Sequence, residues 1–336
     1  MGRKEKVLSV VIPSYNIQQY INQCLESLIQ TEEILDQLDI VVVNDGSKDD
    51  TVLIAQKYVD QYPNSIRIID KENGGHGSVL NVGIREARGK YIKILDGDDW
   101  VDKDGFRNLV EYLGREDTDA DFVLNPYEVV EDGTGNRTKA DYSQLETGKA
   151  ISFRELNERH IFIAMHAMTV RVGLYRENPI PAIDEHIFYV DMEYDLYPLP
   201  YVKKMVFLPD VVYQYRVGTA GQSVNIKNMI ARRQMHSKVI DSLHTYYKTA
   251  YADADQELKQ YFLANYEATL EIHTEILLAM DDHKTAKAEM KEMIQRYTDI
   301  LQGRYQKKKI QLLVRSRCVP FGMMSLYYRK VKKLGE

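Results

Sequence analysis

Three carboxylates and one glycine, Asp96-Gly97-Asp98-Asp99, follow directly on the apolar run Tyr91–Leu95. A run that short, entered through the turn residues Gly89 and Lys90, reads as a buried strand. The acids therefore stand at a strand's carboxyl end, where open α/β sheets keep their ligands. Gly97 lets the backbone turn so that its neighbours face one point. Two carboxylates ~4 Å apart repel by roughly 4 kcal/mol at an effective dielectric near 20. Asp96, Asp98 and Asp99, with Asp102 and Asp104 close behind, thus invite a cation. Oxygen donors select a hard divalent ion, magnesium or manganese, of the kind that bridges to substrate phosphates. The plainer alternative is turn chemistry, with Asp102 or Asp104 capping the next helix.

The elements that position these acids can be read upstream. Val7 to Ile12 is an apolar strand closed by Pro13-Ser14-Tyr15-Asn16, and Ile17, Ile21, Leu25, Leu28 and Ile29 form the apolar stripe of a helix. Asp39 to Asn44 is a second strand, ending in Asp45-Gly46-Ser47. Ser47 and Asp50 have the spacing of a capping box for a helix over roughly 50–61. Ile66 to Ile69 is a third strand, followed by Asn73-Gly74-Gly75-His76-Gly77 and a helix to about Arg88. Strand alternating with helix four times predicts a doubly wound, mostly parallel α/β sheet with its ligand loops along one edge.

Those loops carry suitable groups. Pro13, Ser14, Tyr15 and Asn16, with Asp45 and Gly46, suit a base and ribose, and the Asp45 carboxylate can accept from a pyrimidine N–H. The amides of Asn73, Gly74 and Gly75 can approach a diphosphate. His76 reads as a loop residue and not a ligand. No Gly-Lys-Ser/Thr follows the glycines and no dinucleotide fingerprint occupies the first turn, which excludes a P-loop ATPase and a nicotinamide dehydrogenase.

Composition sets the bounds. The 336 residues are 44% hydrophobic and 28% charged, an ordinary globular balance. Cys24 and Cys318 suggest neither a disulfide framework nor a zinc site, so a reducing compartment is expected. No signal peptide and no run of ~20 apolar residues is found, which predicts a cytoplasmic protein. From Arg304 onward there are ten basic residues and one acid, +9 against −15 for the rest of a chain whose net charge is −6. An acidic body argues against nucleic acid as a partner.

Val-Val-Ile-Pro-Ser-Tyr-Asn, Val-Val-Val-Asn-Asp-Gly-Ser-Lys-Asp, Asn-Gly-Gly-His-Gly and Leu-Asp-Gly-Asp-Asp, in this order and at these gaps over about the first 110 residues, resemble the family 2 glycosyltransferases of GT-A fold. The resemblance implies a nucleotide-sugar donor, usually a uridine diphosphate sugar, and a divalent ion. It implies that Pro13, Tyr15 and Asp45 hold the nucleoside, that Asp96 faces the ribose, and that Asp98 meets metal and diphosphate with Asp99 nearby. Many members have Asp-Asp-Gly-Ser where this chain has Asn44-Asp45-Gly46-Ser47; the aspartate credited with the uracil contact is kept.

Beyond Asp121, Phe122 to Val130 and Met165 to Arg171 read as strands. Inverting glycosyl transfer needs one general base. In the family it is an aspartate at the start of a helix, in a Glu-Asp pair. Asp191 occupies that position with Val190 replacing the glutamate; Glu193 and Asp195 are rivals, and a plain N-cap is the structural alternative. Val211 to Val217 is a strand leading to a glycine-bearing loop. Similar family segments lie near the donor, which makes Arg216, Gln222 and Ser223 candidates for diphosphate or acceptor contacts.

The chain is accordingly divided into a catalytic domain, 1–224 (a nucleotide-binding half, 1–110, and an acceptor half, 111–224), a helical extension, 225–302, and a basic amphipathic tail, 303–336. The extension suits packing on the catalytic domain, homodimerisation or shaping of the acceptor site. Apolar and aromatic residues interleaved with Lys and Arg over 304–336 suit a peripheral contact with an anionic membrane surface on the inner face of the cell membrane. The expected activity is metal-dependent transfer of one sugar to a glycan or lipid-linked acceptor in cell-surface polysaccharide synthesis. The alternatives are a non-catalytic scaffold of a glycan-assembly complex and a sugar-1-phosphate nucleotidyltransferase.

Overall fold

A computed structural model describes residues 5–140, 142–218, 225–297, 300 and 308–332. Gln222 and Ser223 lie outside them. The chain divides into two compact units, Met1–Gly221 and Gln222–Glu336.

The described residues of the first unit form twelve strands: β1 (Lys6–Ser14), β2 (Leu38–Asn44), β3 (Ile66–Asp70), β4 (Gly89–Ile94), β5 (Trp100–Val101), β6 (Phe122–Leu124), β7 (Tyr127–Glu131), β8 (Arg137–Lys139), β9 (Ala150–Ile151), β10 (Met168–Arg171), β11 (Met205–Phe207) and β12 (Tyr213–Val217). Eight form one sheet, β3-β2-β1-β4-β10-β6-β11-β9, and the other four a second, β5-β12-β7-β8. β3, β2, β1 and β4 run parallel, and β10 reverses the direction. Because β2 and β3 build outward from one side of β1 and β4 from the other, the strand order switches between β1 and β4. That is where an open sheet has its crevice. Register places Ser14 opposite Asn44 and Asn44 opposite Asp70, so all these loops leave by one edge.

β1 and β2 are apolar almost without interruption because helices cover both faces. Val10, Ile12, Leu25, Ile40, Val42, Phe106 and Leu109 lie in the resulting core with no exposed surface.

Local chemistry departs from the sequence pattern in three places. The first helix begins at Ile21 and not Ile17, because the backbone N–H groups of Asn16, Ile17 and Gln18 donate to Ser47 Oγ, Thr51 Oγ1 and Asp49 Oδ2 of the second loop. The expected Ser47–Asp50 capping box does not form. Asp49 instead accepts from the Thr51 N–H at the start of the helix Thr51–Gln61. The single strand expected over Phe122 to Val130 breaks at Asn125-Pro126 into β6 and β7, which belong to different sheets. Proline has no N–H to continue the ladder.

Beneath the parallel half, Asp39 is a buried anchor. It accepts from Ser9 Oγ, Arg67 Nε and the Arg88 N–H at 2.8, 2.8 and 3.0 Å. Burial pushes its pKa up, but these donors outweigh burial and hold it below the usual carboxylate value.

The second unit is helical. The stripe Leu263, Tyr266, Leu270, His273, Leu277 is buried along the helix Gln256–Ala279. His273 stacks on His236 at 5.2 Å. Burial drives both imidazoles down, to about 4 and about 3. Among its described residues the tail forms two helices, Lys308–Arg315 and Phe321–Val331, separated by a turn with positive φ at Arg317 and Cys318. Among the described residues no helix is long and apolar enough to cross a membrane.

Two predictions follow from the buried ionisable groups. Asp39→Ala strands the Arg67 guanidinium and should lower unfolding free energy by about 3 kcal/mol in urea titrations. In the wild type Asp39 contributes stability above its unfolded pKa, and the contribution disappears as pH falls through the depressed folded value. His236 and His273 stay neutral when folded but take up protons when unfolded. Helical signal at 222 nm (a circular dichroism reading) should therefore be stable above about pH 6.5 and lose thermal stability as pH falls toward 4. A His236→Gln/His273→Gln variant should show a flatter acid profile.

Candidate functional site

The first, second and third loops are joined at Asp45. Its carboxylate accepts from Lys71 Nζ at 2.7 Å and from the Gly74 and Gly75 N–H groups at 2.9 Å each. Asn73 Nδ2 donates to the Asp45 carbonyl. The two glycine amides, expected to face a diphosphate, are thus engaged with Asp45 and fix its orientation. Tyr15 extends into solvent at the mouth, 51% exposed, and Asn16 Oδ1 accepts from the Lys48 N–H.

Gly97 joins the first loop to the acidic one. Its N–H donates to the Pro13 carbonyl, and a Cβ there would lie 2.9 Å from that same backbone oxygen. Only glycine permits that approach.

Behind the acidic loop stands β12. The Tyr213 hydroxyl donates to Asp99 Oδ2 at 2.6 Å and accepts from the Asp96 N–H. The Arg216 N–H donates to Asp99 Oδ1. The Arg216 guanidinium lies between the rings of Tyr20 and Trp100, 4.9 and 4.8 Å from their centroids. It donates to the Asp98 carbonyl, Asp132 and Gln23. The structure places this candidate diphosphate ligand as a clamp on the acidic loop. Asp102, in turn, caps the helix Lys103–Leu113.

The acids share one electrostatic environment. Asp96 is pushed up to about 8, first by burial and then by Asp98 and Asp191. Burial also raises Asp98, against the pull of Arg216 and His76. Asp99 is raised by burial, Asp96 and Asp98, opposed by Tyr213 and the Arg216 amide. Burial raises Asp191 too, and His76 opposes it. Asp191 begins the helix Asp191–Leu196 with no N-cap side chain preceding it.

His76, passed over as a loop residue, lies in the middle of this group. Its Nδ1 is 3.8 Å from Asp96 Oδ1, and Asp191, Asp98 and Asp45 all act on it against the lowering effect of burial. The rival base Glu193 is fully buried and accepts from the Asp184 N–H. It fastens the segment 183–190. That segment is also tied to Asn81, which exchanges two hydrogen bonds with Ile183, and to Gly74, whose carbonyl accepts from the His186 N–H. Asp195 is buried and raised by burial and Asp191.

For a cation, the described residues offer Asp96, Asp99 and His166, whose ligating atoms all lie within 4.8 Å of one another. His166 takes the place expected for Asp98 in such a group. It stacks on Tyr215 at 4.3 Å, and burial with Lys93 holds it neutral, at about 3. Its Nδ1 is buried without a hydrogen-bond partner. The sequence reading placed His166 within a strand; it lies in a 3₁₀ turn, Met165–Ala167, before β10. Lys93 Nζ, fully buried, holds that turn through the carbonyls of His166 and Met168.

A parallel half-sheet with acidic loops at its switch point, extended by antiparallel strands, is the GT-A fold of nucleotide-sugar-dependent transferases. The chain belongs to glycosyl transferase family 2, whose sequence model matches residues 9–178. It is similar to the putative glycosyltransferase EpsH of Bacillus subtilis, 27% identical over 76% of this chain and 71% of that protein. A 35% identical match to the minor teichoic acid biosynthesis protein GgaB of the same organism spans 38% of this chain but only 14% of GgaB's length. Among solved structures, S. aureus TarS 1–349 in complex with UDP-GlcNAc has the same fold, with a TM-score of 0.57, 18% identity and coverage of 97% of this chain and 92% of that one.

Gly77 tests how the segment 183–190 is held. Alanine usually stabilises a helix relative to glycine by about 1 kcal/mol, but a Cβ at Gly77 would meet the Asp184 carbonyl oxygen at 2.0 Å. Gly77→Ala should therefore lower the urea midpoint. It should also reduce turnover on the order of 10²-fold by displacing the segment that leads into Asp191.

Proposed function

We propose that this chain is an inverting glycosyltransferase. It moves one sugar from a nucleotide-diphosphate sugar, a UDP-sugar, to a hydroxyl of a glycan or lipid-linked acceptor in cell-surface polysaccharide synthesis. The observation that carries the reading is the meeting of Asp191 with Asp96, Asp98 and His76 in one crevice, although they come from three separate stretches of sequence. The UDP-GlcNAc complex of TarS and the teichoic acid role in GgaB's name support the donor and the class of acceptor.

In this reading, Asp45 accepts from the N–H of the pyrimidine ring beside Lys71, and Pro13, Ser14, Tyr15, Asn16 and Gly46 border the base and ribose. Asp98 and the amides around Gly97 border the diphosphate. Asp191 takes the proton of the acceptor hydroxyl as that oxygen bonds to the anomeric carbon. The bond from that carbon to the diphosphate oxygen breaks, and its electron pair leaves with the diphosphate. Burial raises Asp191 and makes it a stronger base, and His76 opposes part of that rise. Asp96, Asp99 and His166 fit a divalent cation, manganese or magnesium: the acids repel one another and the buried His166 nitrogen lacks a partner. When bound, such an ion offsets the negative charge of the diphosphate. We assign the chemistry to residues 1–224, nucleotide half before acceptor half, with 225–302 as helical extension and 303–336 as tail.

The expected result for Asp191→Asn is a fall in turnover of roughly 10²–10⁴-fold with donor KM changed only a few-fold, measured by nucleoside diphosphate release across a panel of nucleotide sugars with manganese. A non-catalytic scaffold would give no release for the substitution to abolish. Retention of wild-type turnover by Asp191→Asn would transfer the base to another residue.

A further inference from the structure

The helix Phe321–Val331 has two faces of opposite use. Phe321 and Ser325 are fully buried, and Ser325 Oγ donates to the Leu278 carbonyl at 2.7 Å. Tyr328 OH reaches Glu275, and Arg329 donates to the Ala279 carbonyl. These contacts fix the inward face against the helix Gln256–Ala279. The outward face is apolar: Met323, Leu326 and Tyr327, at three- and four-residue spacing, are 72%, 64% and 72% exposed. Val319, just before the helix, is 75% exposed. Four large apolar side chains in one stripe exceed the scattered exposure normal for a protein surface.

Charge narrows what can cover the stripe. Between 308 and 332 the sequence has seven Lys and Arg and no Asp or Glu. Arg315, Arg317 and Lys330 are exposed there. A second copy of the chain would bring like charges together around the apolar contact. The stripe follows a helix about 16 Å long (eleven residues at 1.5 Å each), and side chains standing out from a helix surface need either a matching groove or a deformable medium. We propose that this face docks on an anionic lipid leaflet. Met323, Leu326 and Val319 enter the acyl boundary, Tyr327 lies at the headgroup level, and the basic residues meet lipid phosphates. The contact is independent of the transfer chemistry and would hold even if the donor assignment failed.

The test is co-pelleting of the full chain with phosphatidylcholine vesicles, with and without phosphatidylglycerol. Binding should require phosphatidylglycerol and collapse in ~1 M salt, where the screening length is about 3 Å. Met323→Ser/Leu326→Ser should abolish pelleting while leaving helical content and nucleotide release unchanged. Arg315→Gln/Lys330→Gln should weaken binding about fivefold per charge removed. Absence of wild-type binding, or equal binding by the serine variant, overturns the proposal. So does light scattering that shows a dimer lost in the serine variant without any lipid binding, which would assign the stripe to a second copy.

Discussion

The structure depends on managing mutual repulsion among carboxylates. Asp45, Asp96, Asp98, Asp99 and Asp191 act on one crevice, and each is restrained differently. Asp45 has an ammonium and two amides, and Asp99 a phenol and an amide. Asp98 has the charges of Arg216 and His76. Asp96 is pushed up to about 8 by burial and by the charges of Asp98 and Asp191. Such clustered carboxylates favour positive charge in the crevice.

This arrangement explains several packing choices that would otherwise look arbitrary. Tyr213 is fully buried in β12, with its hydroxyl placed to touch both Asp99 and the Asp96 amide. The second sheet is therefore also a support for the loop at the end of β4. Arg216, three residues further along the same strand, stacks between two aromatic rings so that its donors hold backbone and side chains behind the acids. Rigid backing of this kind lets a loop keep like charges close without splaying.

On the opposite side, the segment leading to Asp191 is fixed by glycine at Gly77, by Asn81 and by buried Glu193. None of these residues needs to touch substrate to matter. They set where the Asp191 carboxylate stands. In the helical unit, aromatic stacking dominates, with Tyr251 against Phe262 at 4.5 Å and Tyr247 against Phe262 at 4.9 Å. The tail's outer face, with Met323, Leu326 and Tyr327 exposed, stays outside that interior.

The sequence by itself determined the alternation of strands and helices, the polar loops at the strand ends and the fold class. Those features are local: apolar runs, glycine turns and short acidic stretches declare themselves within ten residues. Tertiary structure decided what the loops do. Pairing of β1 with β4 brought Gly97 against Pro13, and the loop after β2 met the glycines after β3 only once the sheet had formed. His166, Lys93 and Tyr213 gave no sequence signal, because an isolated histidine, lysine or tyrosine has no periodic or spaced partner; His76 stood within Asn-Gly-Gly-His-Gly but read as a loop residue. Their roles come from burial and from groups as much as 117 residues away, as between the Tyr213 hydroxyl and the Asp96 N–H. Arg216 shows the same limit, since its side chain's direction follows from two rings that only folding places on either side of it.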